Sequence, residues 1–139
     1  TMFAEFEKIT HEMAEQGQPL TVQTFQDVYG QLLRDYFGPE FVIDDCLPLE
    51  CFRIPHFYRA FYVYKYATGL SAAIALSRRV LAGGADELNE YHTFLKGGCS
   101  QDPLDLLRSA GVDMEQSGPV DTALAQFSSL VDQLEQLMS

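Results

Sequence analysis

His56, Tyr58, Tyr62 and Tyr64 are the side chains of this sequence best suited to chemistry. They lie in RIPHFYRAFYVYKYATG, residues 53–69, which carries two Phe, four Tyr, one His, three basic side chains and no carboxylate. Imidazole and phenol groups donate hydrogen bonds to a developing oxyanion, and a helix that lines up several of them along one wall suits acyl transfer or peptide hydrolysis. The same pattern has a plainer reading, because aromatic residues at helical spacing are usually core, with their hydroxyls satisfied at its edge. Charge adds weight to a site. Residues 53–79 hold five of the nine Lys and Arg and none of the twenty Asp and Glu, in a chain of net charge -11. Arg53 and Arg59 can either bind a substrate carboxylate or pair with the acidic helices.

A second candidate fails on ligand count. His11-Glu12-Met13-Ala14-Glu15 nearly spells H-E-x-x-H, in which two His one helical turn apart hold zinc and the Glu activates water. The second His is missing and no third ligand is near, so the segment reads as a solvated helix face and no metal site is expected in this chain. Cys46, Cys51 and Cys99 are an odd number without C-x-x-C spacing. They read as reduced structural thiols, none with an activating His in a recognisable motif.

The elements that must position these groups are helical throughout. Phe3, Phe6, Ile9 and Met13 recur at helical spacing, predicting a first helix over 2–15 that ends near Gly17 and Pro19. Thr21 is the expected N-cap of a second helix, whose apolar stripe runs from Val22 through Phe25, Tyr29 and Leu33 to Tyr36 before Gly38 and Pro39 stop it. Residues 41–54 read as an ordered loop. A long third helix is expected from about His56 to Ala82, opened by Pro55 and closed by Gly83-Gly84. It would be about 40 Å long. Apolar residues on nearly every side predict that it is buried through the middle of a bundle, slimmed in its second half by Gly69, Ser71, Ala72, Ala73 and Ala75.

Two short helices follow, over 86–96 and 102–110. The second has Asp102 as N-cap, Pro103 at its first position and Gly111 just past its end. A last helix over 120–138 sets Val120, Leu124, Phe127, Leu130, Val131, Leu134 and Leu137 on one face. The fold class is therefore all-α, a bundle of about six helices, without repeat, low-complexity tract or linker. With 139 residues, 47% of them hydrophobic, the chain is read as a single helical domain.

Composition also limits partners. An acidic chain lacks the Lys and Arg arrays that neutralise phosphates, which argues against nucleic acid and against anionic membranes. No run of eighteen apolar residues occurs, and the N-terminus lacks a secretory-signal layout, so a cytoplasmic location is expected.

RIPHFYRAFYVYKYATG, followed by SAAIALS and then by FLKGGCSQDPLDLLRSAGVDM, resembles the C-terminal third of oligoendopeptidase F, of the thimet-oligopeptidase-like zinc metallopeptidases. The opening TMFAEFE and its spacing to His56 resemble the family too, so the likeness covers essentially the whole chain. It implies an all-α zincin-type peptidase with a deep channel that cuts short peptides. In it, zinc is held by H-E-x-x-H and a downstream Glu, and the motif Glu acts as general base. A late His and nearby Tyr residues hold substrate and stabilise the tetrahedral intermediate. By that resemblance His56, Tyr62 and Tyr64 are the catalytic candidates, Tyr58 and Arg59 the substrate-binding ones. The family places its zinc motif upstream of the first residue here. The chain is accordingly expected to be the C-terminal fragment of a longer catalytic domain, dependent on the upstream part for zinc and inactive alone, with oligopeptides as substrate. A non-catalytic helical scaffold derived from the peptidase is the alternative, and self-association through exposed apolar surface is expected of a fragment cut from the channel.

Overall fold

The helical periods of the sequence are realised as six α-helices and two 3-10 helices, without a strand, in a computed structural model that describes residues 1–139. The elements are α1 (Met2–Glu15), α2 (Val22–Phe37), 3-10 helices at Leu47–Phe52 and Pro55–Tyr58, α3 (Tyr64–Ala82), α4 (Ala85–Gly97), α5 (Pro103–Ser109) and α6 (Gly118–Met138). Internal contacts divide the chain into two compact units, Thr1–Lys65 and Tyr66–Ser139.

In the first unit the expected signals hold. The Thr21 hydroxyl accepts the Thr24 N–H at 3.1 Å and caps α2. Gly38 ends that helix at φ 76°, a left-handed conformation that costs glycine nothing. The expected loop over 41–54 is in fact partly helical: the Asp44 carboxylate accepts the N–H groups of Cys46 and Leu47, each at 2.8 Å, and Pro48 stands in the first turn of the 3-10 helix that follows. That helix delivers Cys51, and the chain beyond it Ile54, into a core with Phe6, Tyr29, Leu32 and Leu33.

The core is aromatic at its centre. Phe6 meets Tyr29 edge-on at 5.3 Å between ring centroids and Phe57 at 4.9 Å, and Phe25 meets Phe52 at 5.8 Å. Tyr29 is wholly buried, and its hydroxyl donates to Glu50 Oε2 at 3.0 Å. Burial, and then the Glu50 carboxylate, push the Tyr29 phenol well above its ordinary range.

The third helix starts at Tyr64, not His56, and has 19 residues, a length of about 28 Å. The segment in front of it, residues 59–63, is not helical: Arg59 is extended, and Phe61 stands at φ 54°. Pro55 opens only the four-residue 3-10 turn Pro55–Tyr58. Of α3 itself Ser71, Ala72 and Leu76 are buried, whereas Leu70 and Leu81 are exposed.

In the second unit Leu76, Ala110 and Val112 are the buried centre, ringed by Ala75, Tyr91, Phe94, Leu107 and Met114. The α5 signals act as read: Asp102 accepts the Leu104 N–H at 3.0 Å, and Gly111 follows the helix at φ 78°. A Cβ at Gly111 would in addition lie 2.5 Å from the Arg79 guanidinium carbon, so that side chain would have to shift. The apolar face expected on α6 exists, but Leu124, Phe127, Leu130, Leu134 and Leu137 are all exposed.

Candidate functional site

The candidate residues occupy the end of the first unit, on the 3-10 turn Pro55–Tyr58, the irregular residues 59–63 and the first turn of α3. Two of them are brought together. The half-buried rings of His56 and Tyr62 lie nearly parallel, 17° apart in plane and 5.8 Å between centroids. A continuous helix would not do this, because residues six apart point about 120° apart around its axis. The departure from helix at 59–63 is therefore what pairs them.

Cations gather on the same phenol ring. The Arg59 guanidinium is 5.0 Å from the Tyr62 centroid and the Lys65 ammonium 5.5 Å, both within cation–π range. Imidazole, phenol, guanidinium and ammonium thus meet around one ring. Such a group can donate hydrogen bonds and positive charge to an anionic oxygen or a carboxylate.

The other candidates stand apart. Tyr58 is largely exposed, and its hydroxyl donates to the Phe52 carbonyl at 2.7 Å, which ties the 3-10 turn to the element before it. Tyr64 is exposed at the start of α3. Arg53 pairs with Glu50 at 2.6 Å while its side chain is mostly in solvent. Glu50 in turn receives Tyr29, so Arg53 belongs to the edge of the core.

A residue that the sequence reading passed over sits beneath this turn. Glu7, on α1, is 3% exposed, and its Oε1 accepts the Phe61 N–H at 2.7 Å. Phe61 is a non-glycine residue in the left-handed region, where an L-residue costs about 1–2 kcal/mol. One turn further along α1, His11 Nδ1 donates to the Glu7 carbonyl at 2.7 Å, and its ring lies 4.5 Å from that of Phe61. The signal available in the sequence was an acidic residue beside Phe6 on the apolar side of a helix, where an unpartnered carboxylate is costly.

A zinc centre does not fit the residues present. Nowhere do three or more His, Cys, Asp or Glu side chains come together as a metal would need, and His11 has turned Nδ1 to its own helix. The three thiols are free. Cys51 is buried, donates to the Pro48 carbonyl at 3.2 Å and is held above its ordinary value by burial, the condition of an inert thiol. Cys46 and Cys99 are exposed, so burial accounts for Cys51 alone.

The chain is 48% identical over 138 residues to the oligopeptidase PepF of Bacillus subtilis, matching 99% of this chain and 21% of that protein. An oligoendopeptidase F homolog of Borreliella burgdorferi is 41% identical over 137 residues, again 99% of this chain and 23% of its own length. The crystal structure of oligoendopeptidase-F from Enterococcus faecium superposes with a TM-score of 0.93 at 40% identity, covering 99% of this chain and 26% of that one. The chain thus spans about a fifth to a quarter of the length of these relatives. No helix is long and apolar enough to cross a membrane. The profile of Peptidase family M3 matches residues 1–126, and with that match over most of its length, the chain belongs to peptidase family M3.

Proposed function

We propose that this chain is the C-terminal part of the catalytic domain of a longer zinc metalloendopeptidase that hydrolyses short oligopeptides in the cytoplasm. In this reading it supplies a wall of the peptide channel, and the upstream part of the same domain supplies zinc and its ligands. The observation that carries the reading is the His56–Tyr62 pair with Arg59 and Lys65 around it, in a stretch without carboxylates. His56 and Tyr62 act as donors toward the oxygen that becomes negative during peptide-bond attack, with Tyr64 a further catalytic donor. Arg59 and Tyr58 hold the substrate, Arg59 through a peptide carboxylate.

His56→Ala and Tyr62→Phe in the longer peptidase test the roles. Each is expected to lower kcat by about 10²–10³-fold, the usual loss for one oxyanion donor, with zinc content unchanged. Turnover undiminished in both variants would sink the assignment. Alone, the 139-residue chain is expected to retain no zinc after dialysis against metal-free buffer and to cut no peptide. One zinc held tightly per chain would mean that a complete metal site exists within it.

A further inference from the structure

We propose that Glu7 is a positioning residue for the peptidase site, acting with His11 to lock the left-handed turn at Phe61 that pairs His56 with Tyr62. The inference rests on the function proposed above, which gives that pair its purpose. Its geometry stands independently.

Three observations meet at Phe61. Its backbone is at φ 54°, which the phenylalanine side chain disfavours, so something outside the turn must hold it. Its amide is taken by Glu7 Oε1 at 2.7 Å, a hydrogen bond to a carboxylate buried in an aromatic core, where such bonds are strong. Its ring rests against His11 at 4.5 Å, and His11 is itself fixed by its bond to the Glu7 carbonyl. One turn of α1 thus grips Phe61 by backbone and by ring.

The consequence reaches the next residue. Tyr62 follows the anchored peptide directly, and its ring direction depends on the dihedral angles of Phe61. With Phe61 released to the right-handed region, residues 59–63 can join the helices on either side, and His56 and Tyr62 then point to different sides. Glu7 touches neither ring of the pair, so its effect passes through the backbone.

The test compares Glu7→Leu, which removes the acceptor, with Glu7→Gln, which keeps a carbonyl oxygen there, in the longer peptidase assayed on a short fluorogenic peptide. Glu7→Leu is expected to lower kcat by about 10–100-fold, with KM and zinc content within about threefold of wild type. The Phe61 amide should exchange with solvent at least about tenfold faster, while those of Leu32 and Leu33 in the core keep their protection. Glu7→Gln should restore kcat to within about fivefold of wild type. Unchanged kcat and Phe61 exchange in Glu7→Leu would overturn the proposal. So would equal losses in both variants together with lost protection at Leu32 and Leu33, which describe a folding role alone. Should Glu7→Leu not fold, the wild-type protein still decides, because an anchored Phe61 amide exchanges more slowly than that of Ala60 in the same turn and equal rates refute the anchor. If His56→Ala and Tyr62→Phe leave turnover intact, the site assignment fails while the Phe61 exchange still reports on the anchor.

Discussion

The two units of this chain solve the problem of burial differently. Thr1–Lys65 closes a core of its own, centred on Phe6, Tyr29, Leu32 and Leu33, and can afford a buried carboxylate because a backbone amide meets it. Tyr66–Ser139 has a small centre of Leu76, Ala110 and Val112 and leaves the apolar face of α6 in solvent. The candidate groups His56, Tyr58, Arg59, Tyr62 and Tyr64 all belong to the first unit. The candidate groups thus stand beside the larger of the two buried cores, where side chains are more easily held to a fixed geometry.

The largest expected effect breaks or sustains that contrast directly. Phe6 is 3% exposed among three aromatic neighbours, Phe25, Tyr29 and Phe57, so Phe6→Ala should cost about 3–5 kcal/mol in urea unfolding. Phe127, 68% exposed on α6, should cost less than about 0.5 kcal/mol on the same change. Comparable losses at both positions would show that α6 is covered in solution. If the Phe127 loss also grows with protein concentration, a second copy is what covers it.

A smaller effect sharpens the account of the first unit through pH. The folded state holds Tyr29 as the neutral phenol, with its proton affinity raised by burial and by Glu50. A group whose affinity is raised on folding contributes stability in full below its unfolded value, here 10.0, and loses it as pH rises beyond that. The urea midpoint of the wild type should therefore fall between pH 9 and 11 more steeply than that of Tyr29→Phe. Parallel slopes would mean that Tyr29 is not the group that resists ionisation. Cys51, raised by burial in the same core, contributes in the same direction.

Much of this architecture was legible from local chemistry. Thr21 and Gly38 bracket α2, and Asp102, Pro103 and Gly111 bracket α5, because a cap is written within a few residues of the helix it ends. The halt of α3 at Tyr64 was not legible by that means. Its residues carry a helical pattern back to His56, and what overrides the pattern is a carboxylate 54 positions away in sequence, at Glu7. The candidate groups were picked out by residue type and by charge, through the carboxylate-free run. Its geometry was not: helical spacing spread the aromatic groups along a wall, whereas the turn at Phe61 stacks His56 on Tyr62 and sends Tyr58 to the Phe52 carbonyl. The α6 stripe was read correctly as apolar, but no property of a stripe says what covers it.

The smallest effect belongs to the second unit and tests how its helices are started. Glu87 Oε2 accepts the Gly84 N–H at 2.7 Å at the head of α4, one half of a reciprocal cap whose other half glycine has no side chain to supply. That bond, chiefly, and Arg79 nearby hold the Glu87 carboxyl below its ordinary value of 4.5. The sign is opposite to that of Tyr29. A depressed carboxyl contributes stability above its unfolded value and loses it as pH falls through the folded one, so the contribution fades below pH 4.5. Glu87→Gln keeps an oxygen for Gly84 but cannot titrate, and should flatten the acid limb of the wild-type stability profile only slightly, less in 0.5 M salt than in 0.05 M, because the group is exposed and screened. If Glu87→Gln instead removes most of the acid dependence, α4 rests on this one cap. The second unit would then owe its stability to a surface hydrogen bond where the first relies on a packed aromatic core.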